Sequence, residues 1–204
     1  MQEDAIAHEE KNYQRMDALA RRQFLAGHVH ARYTDLSGRF VMSVLRWESD
    51  ATCRWFLIKA VGLMKMVDGI PILLQICQQP EVDFKHTSLH AICAWSLGQI
   101  GDSAKNEVLM LLSHPNSETR RCAADTLGEL RAAAAIPALV SALKNDEQSV
   151  QLWAGLALAK IGIQSIPFLE QTVIESAGPA RLIAFDALEK IASASLGAGS
   201  KDID

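Results

Sequence analysis

Ser117–Asp146 reads SETRRCAADTLGELRAAAAIPALVSALKND, and Gln148–Ser176 reads QSVQLWAGLALAKIGIQSIPFLEQTVIES. Laid over one another, Leu127 meets Leu158, and Ile136-Pro137 meets Ile166-Pro167. Moving outward, Thr87–Pro115 takes the same frame, with Leu97-Gly98-Gln99-Ile100 over Leu127-Gly128-Glu129-Leu130. Thr52–Gln79 fits with a longer connection, the loop QQPEVDF around Pro80, and Pro179–Ile191 is a half-length copy. Leu97, Leu127, Leu158 and Leu188 thus recur about every 30 residues, a period that denotes stacked units rather than one wrapped core.

Each unit reads as two helices. The first carries apolar residues at helical spacing, as in Ala123, Ala124, Leu127 and Leu130. Glycine or a small polar segment ends it, which suits a C-cap and turn. The second opens on Ile-Pro at 70–71, 136–137 and 166–167, where proline's missing N–H has no intrahelical partner to lose. The paired alanines let neighbouring helices come close. β-Branched runs and period-two alternation are scarce, so strands are not expected. A unit of this size cannot bury its apolar face alone, and stacking supplies the core.

The order VRxxAAxALGxIG followed by xxAIPxLxxAL resembles the HEAT-like repeats of phycobilisome lyase subunits and related bacterial proteins. Residues 119–146 match it closely, 89–102 well and 150–162 fairly, while 53–64 and 180–191 are degenerate copies. The resemblance covers about three quarters of the chain and implies an all-α fold. Its form would be a right-handed α-solenoid of four to five HEAT-like hairpins with a helical N-terminal cap. It also implies that the first helix of each unit lines a concave groove. The positions so placed are Trp55, Phe56 and Lys59; Ala91, Ile92 and Trp95; Arg121, Cys122 and Asp125; Leu152, Trp153 and Leu156; and Leu182, Ile183 and Asp186. Gln99, Glu129 and Lys160 lie further along the same helices. Three of the four tryptophans fall on this face, and tryptophan is a frequent binding hot spot. The third unit adds a charged band of Glu118, Arg121, Asp125 and Glu129.

The chain therefore divides into a helical extension at 1–48, repeats at 49–192 and a small polar tail at 193–204 that is expected to fray. Within the extension, Asp4–Ala26 reads as one amphipathic helix. Leu36–Trp47 reads as another, with Asp35 or Thr34 as its N-cap.

Composition narrows the function. Apolar residues are 49% of the chain, enough for a packed core. Lys and Arg number 20 against 24 Asp and Glu, a poor balance for neutralising phosphates, so nucleic acid is not expected as a partner. This weighs against the HEAT-like DNA glycosylases, whose concave face is basic. The start, MQEDAIAHEEKNYQR, has no apolar leader, and the richest apolar run, Trp55–Met66, is broken by Lys59 and Lys65, so neither a secretory signal nor a membrane span is expected. Cys53, Cys77, Cys93 and Cys122 are too far apart for a zinc pattern and read as reduced, mostly buried thiols of a cytoplasmic protein, and the resemblance to the phycobilisome-lyase repeat type implies a bacterial one.

Metal chemistry finds little footing. His86 and His90 are four apart but lack a third ligand, and His90 takes the Arg position of the VR pair, which favours an inter-repeat polar contact. His28 and His30 are expected in a loop. The HEAT-like deoxyhypusine hydroxylases hold iron with repeated His-Glu pairs, but the matching positions here are Ala91-Ile92, Arg121-Cys122 and Leu152-Trp153. No cofactor is expected. The sequence favours a non-catalytic scaffold that binds a partner helix or peptide, with Trp95 and Trp153 as central anchors, Trp55 towards one end, and Arg121, Asp125 and Glu129 setting orientation. The alternative is a subunit of a bilin lyase or another chromophore-handling protein.

Overall fold

A computed structural model of the chain describes residues 2–30, 37–80, 83–84 and 87–199. Twelve α-helices dominate the described residues. The helical extension comprises α1 (Gln2–Arg15), α2 (Ala18–His30) and α3 (Gly38–Trp47). Helix pairs follow: α4 (Ala51–Leu63) and α5 (Ile70–Cys77), then α6 (Leu89–Ile100), α7 (Lys105–Leu111), α8 (Ser117–Glu129) and α9 (Ile136–Asn145), and α10 (Gln148–Ile161) and α11 (Ile166–Glu175). The half-unit is α12 (Gly178–Gly199). These are solenoid-type helical hairpins, and the fold is all-α. The one β element joins Asp83–Phe84 (β1) antiparallel to Thr87–Ser88 (β2), in the long connection around Pro80.

The chain forms two compact units, 1–104 and 105–204. Within the first, the helical extension shares its core with the first hairpin. α2 and α3 both pack on α4. Tyr13 is fully buried and meets the rings of Phe24, Phe40 and Trp47 edge-on at 5.7, 5.7 and 6.0 Å. Such edge-to-face pairs add roughly 0.5–1.5 kcal/mol each beyond area burial.

The single helix expected over 4–26 is two helices. Asp17 breaks it by accepting a hydrogen bond from Ala20 N at 2.8 Å, which caps α2. α2 then runs through His28 and His30, which the sequence had suggested lay in a loop. Ser37 caps α3, its Oγ accepting from Phe40 N at 3.0 Å, whereas Thr34 and Asp35 lie outside the described residues.

The Ile-Pro starts of α5, α9 and α11 are observed, each led in by a 3-10 turn. The expected glycine cap is found at the ends of α6 and α10, whereas Gly62 and Gly128 play a different part. Gly62 and Gly128 lie inside α4 and α8, where a Cβ would come within 2.7 Å of Ser96 Cα and 2.8 Å of Ala157 Cα. These glycines permit close approach of successive first helices. The turn is made further on, at Gly101 (φ 92°) and Gly162 (φ 90°), and at Lys65 and Arg131, which are left-handed without being glycine.

In the second unit, α8, α10 and α12 form one layer, α10 between the other two, while α9 and α11 neighbour each other behind them. Leu127, Leu139, Leu143 and Leu158 are completely buried between these layers. Each contributes roughly 1.5–3 kcal/mol by leaving water. α12 continues to Gly199, past the expected boundary at 192, with Ser193 and Ser195 hydroxyls donating to the carbonyls of Glu189 and Ile191.

Candidate functional site

The first helices carry the sequence-derived positions, and each unit holds its own group of them. In the first unit, Trp55, Phe56 and Lys59 stand half-buried on α4. The Trp55 ring meets Phe56 edge-on at 5.3 Å, and the Lys59 ammonium sits 5.0 Å from the Trp55 ring centre. This is a cation–π pair with the cation still half-exposed. On α6, Trp95 is half-buried and Gln99 exposed. Ile92 departs from expectation: it is 7% exposed, part of the core, and withdrawn from any binding surface.

In the second unit, the Arg121 guanidinium lies 5.6 Å from the Trp153 ring centre, and its Nε donates to Glu118 at 3.0 Å. Lys160 of α10 reaches back to α8 and donates to Asp125 at 2.8 Å and Glu129 at 2.6 Å. Asp125 is buried, so it braces α8 against α10 rather than facing a ligand. Burial raises its pKa above the usual carboxylate range despite the Lys160 ammonium. Burial also opposes the Lys160 charge, but the two carboxylates outweigh it and raise the lysine's pKa. The charged band is therefore largely satisfied internally.

The open part of this layer is apolar. Leu152, Leu182, Ile183 and Pro179 line a cleft of about 490 Å3 between the first turns of α10 and α12, with Gln148 and Ser149 at its edge. Leu152 is 45% and Leu182 71% exposed, whereas the leucines of the repeat frame, Leu127 and Leu158, are fully buried. The cleft exists because Gly155 admits Ile183 against the α10 backbone, which draws the two helices together. Leu156 and Ile183 continue it as a shallow crevice towards Asp186 and Lys190, which pair with each other. Leu182 and Ile183 were on the expected face by repeat alignment. Gln148, Ser149 and Pro179 were not, since they open their repeats ahead of the aligned apolar positions and carry no periodic signal.

A second polar cluster lies under the helical extension. Glu48, buried at the end of α3, accepts from the Tyr13 hydroxyl at 2.9 Å, from Arg21 at 3.1 and 3.2 Å, and from the Ser49 and Asp50 amides. Next to it Asp50 caps α4, accepting from Cys53 N at 3.0 Å, and pairs with Arg22. The Arg22 hydrogen bond holds the Asp50 carboxyl down at about 2. Burial pushes the Cys53 thiol up to about 12 and drives the Tyr13 hydroxyl well above its ordinary value. These groups are inert at neutral pH, and their work is structural.

His90 is buried, and its Nε2 lies 3.0 Å from the Gln79 carbonyl, an inter-repeat contact at the position that Arg120 fills one unit on. Arg120 binds the carbonyls of His114 and Pro115 and, through both Nε and Nη2, the carboxylate of Asp146. His86 lies outside the described residues, and the His28 ring packs on Phe24 at 4.7 Å. Among the described residues no three His, Cys, Asp or Glu side chains converge as a metal site would need. All four cysteines are buried thiols, none of them in a disulfide. No described helix is long and apolar enough to cross a membrane.

Stacked hairpins with Ile-Pro second helices and close-approach glycines define an α-solenoid repeat protein. The family model for HEAT repeats matches residues 85–159 and 106–189, just over half of the chain together, and the chain belongs to the HEAT-repeat family. Solved structures similar to it include the following two. One is the complex of CpcE and CpcF of phycocyanin lyase from Nostoc sp. PCC7120, at 20% identity and a TM-score of 0.49 over 76% of this chain. This chain spans 65% of that one, just under two thirds of its length. The other is an engineered protein, at 19% identity and a TM-score of 0.46, covering 85% of this chain and 88% of that one. No curated protein matches.

Proposed function

We propose that the protein is a non-catalytic interaction scaffold whose first-helix layer seats a helix or extended peptide of a partner protein. The observation that carries this reading is the apolar cleft of Leu152, Leu182 and Ile183 on an open helix layer. Its volume falls in the range of roughly 300–1,000 Å3 that suits inserted groups, and large exposed leucines rimmed by polar side chains favour protein contact. HEAT repeats fit the coarser role of a protein-interaction scaffold. Leu152 and Leu182 would take the partner's apolar anchor. Trp153, held by Arg121, would form the wall beside it. Trp55, Lys59, Trp95 and Gln99 would offer a second contact on the first unit. Asp125, Glu129 and Lys160 would keep α8 and α10 in register.

Bilin handling has no observation of its own in the site, because it draws only on the repeat resemblance. It serves as an arm of the test. The tagged protein, wild type or Leu152→Glu/Leu182→Glu, is used to capture partners from extract of the source organism, and each is separately titrated with a bilin. Both substituted side chains are exposed, so the variant should keep its circular dichroism spectrum. A protein held by wild type and lost at least tenfold by the folded variant supports the reading, since a true anchor contributes about 2 kcal/mol or more. Equal capture by both proteins overturns it. A bilin absorbance shift lost in the variant would assign the cleft to the chromophore instead.

A further inference from the structure

The face of α12 that lies opposite α10 is also uncovered. Ile183 is the residue that packs against Gly155 of α10. Phe185 lies roughly 200° further round the helix, at about 100° per residue, and is 54% exposed. Its register is informative. Counted from the repeating leucine, Phe185 takes the position of Ala94, Ala124 and Gly155, all of which are buried. Those units keep a small residue there. The last helix instead offers a phenyl ring, too large for a further unit at the same spacing but suited to act as a knob against another helix.

The residues around it are self-complementary. Arg181 stands four before Phe185 and Glu189 four after, and all three are exposed on one face. Neither Arg181 nor Glu189 has an ion-pair partner among the described residues, whereas Asp186 and Lys190 nearby pair with each other. An antiparallel copy of the same helix, related by a two-fold axis through Phe185, would bring each Arg181 opposite the other copy's Glu189. We infer that α12 is a homodimer interface, with the two Phe185 rings packed at the axis and a reciprocal Arg181–Glu189 pair on either side. A two-fold interface requires this reciprocity, and one helix face supplies it. The surface adjoins the Leu152 cleft through Leu182, but Arg181, Phe185 and Glu189 do not line that cleft. A single helix pair buries less than the roughly 1,200–2,000 Å2 of stable interfaces, so the dimer is concentration-dependent.

Sedimentation equilibrium of the full chain from about 1 to 200 µM (the range a small interface calls for) tests this. Wild type is expected to pass from monomer to dimer within that range. Phe185→Glu should remain monomeric with an unchanged circular dichroism spectrum. Arg181→Glu and Glu189→Arg should each weaken dimerisation about tenfold or more, because each turns two attractive pairs into two repulsive ones. The double variant Arg181→Glu/Glu189→Arg should recover it. A wild-type chain that is monomeric throughout overturns the inference. So does a dimer that survives Phe185→Glu, or single swaps that the double swap does not rescue.

Discussion

At the residue scale the turn closing each first helix shows how one position takes two solutions. Gly162 sits at φ 90° and ψ −141°, a region essentially closed to side chains. Arg131 sits at φ 46° in a Schellman-type cap, with Ala132 N donating to Leu127 O at 3.0 Å and Arg131 N donating to Gly128 O at 3.0 Å. Gly162→Ala is expected to cost about 1–3 kcal/mol of stability, read from urea unfolding midpoints. Arg131→Gly should do the reverse, adding about 0.5–1 kcal/mol, because relief of left-handed strain exceeds the extra chain entropy. A loss of stability in Arg131→Gly would contradict this account of the cap. The sequence made the glycines visible but not their jobs. A cap and a close helix contact both ask for a missing Cβ, so Gly128 resembles a cap until Ala157 is seen against it.

At the element scale, the start of α4 depends on one ionised carboxylate. Asp50 caps the helix and pairs with Arg22, and its folded pKa of about 2 lies below the roughly 3.9 of an unfolded aspartate. A depressed folded pKa contributes stability that is complete above pH 4 and lost as pH falls towards 2. Asp50→Asn should therefore lower stability at pH 7 and flatten the fall in unfolding midpoint between pH 5 and 2. An unchanged acid limb would show that Asp50 is not its source. The α8–α10 brace makes a second prediction. Lys160→Met leaves buried Asp125 without its cation and should cost about 1–3 kcal/mol, measured by urea unfolding. Asp125→Asn in that background should recover part of the loss. Helix existence was legible here because periodicity is a many-residue signal. Breaks were not: the α1–α2 junction turns on the single side chain of Asp17, and α12 runs past 192 through a stretch of alanine, serine and glycine that carries no apolar period.

At the scale of the whole molecule, the repeat frame was legible from four leucines and three Ile-Pro pairs, and within each unit it placed the first helices side by side. Burial within that layer was not, because alignment gives a direction around the helix and not a depth. Ile92 and Asp125 point with their neighbours yet are covered, whereas Leu152 and Leu182 at the last stacked pair are exposed. The two compact units share one chemistry of stacking, and the first takes its N-terminal wall from Tyr13, Phe40 and Glu48 instead of from a repeat.

The central claim is that the first-helix layer, not the second, meets the partner. A photo-crosslinking amino acid placed at Leu152 on α10, compared with one at Ile174 on α11, tests it directly, since both side chains are exposed, at 45% and 83%. In extract of the source organism the account predicts a discrete crosslinked product from position 152 and none from 174. A product from 174 alone, or equally from both, would contradict it.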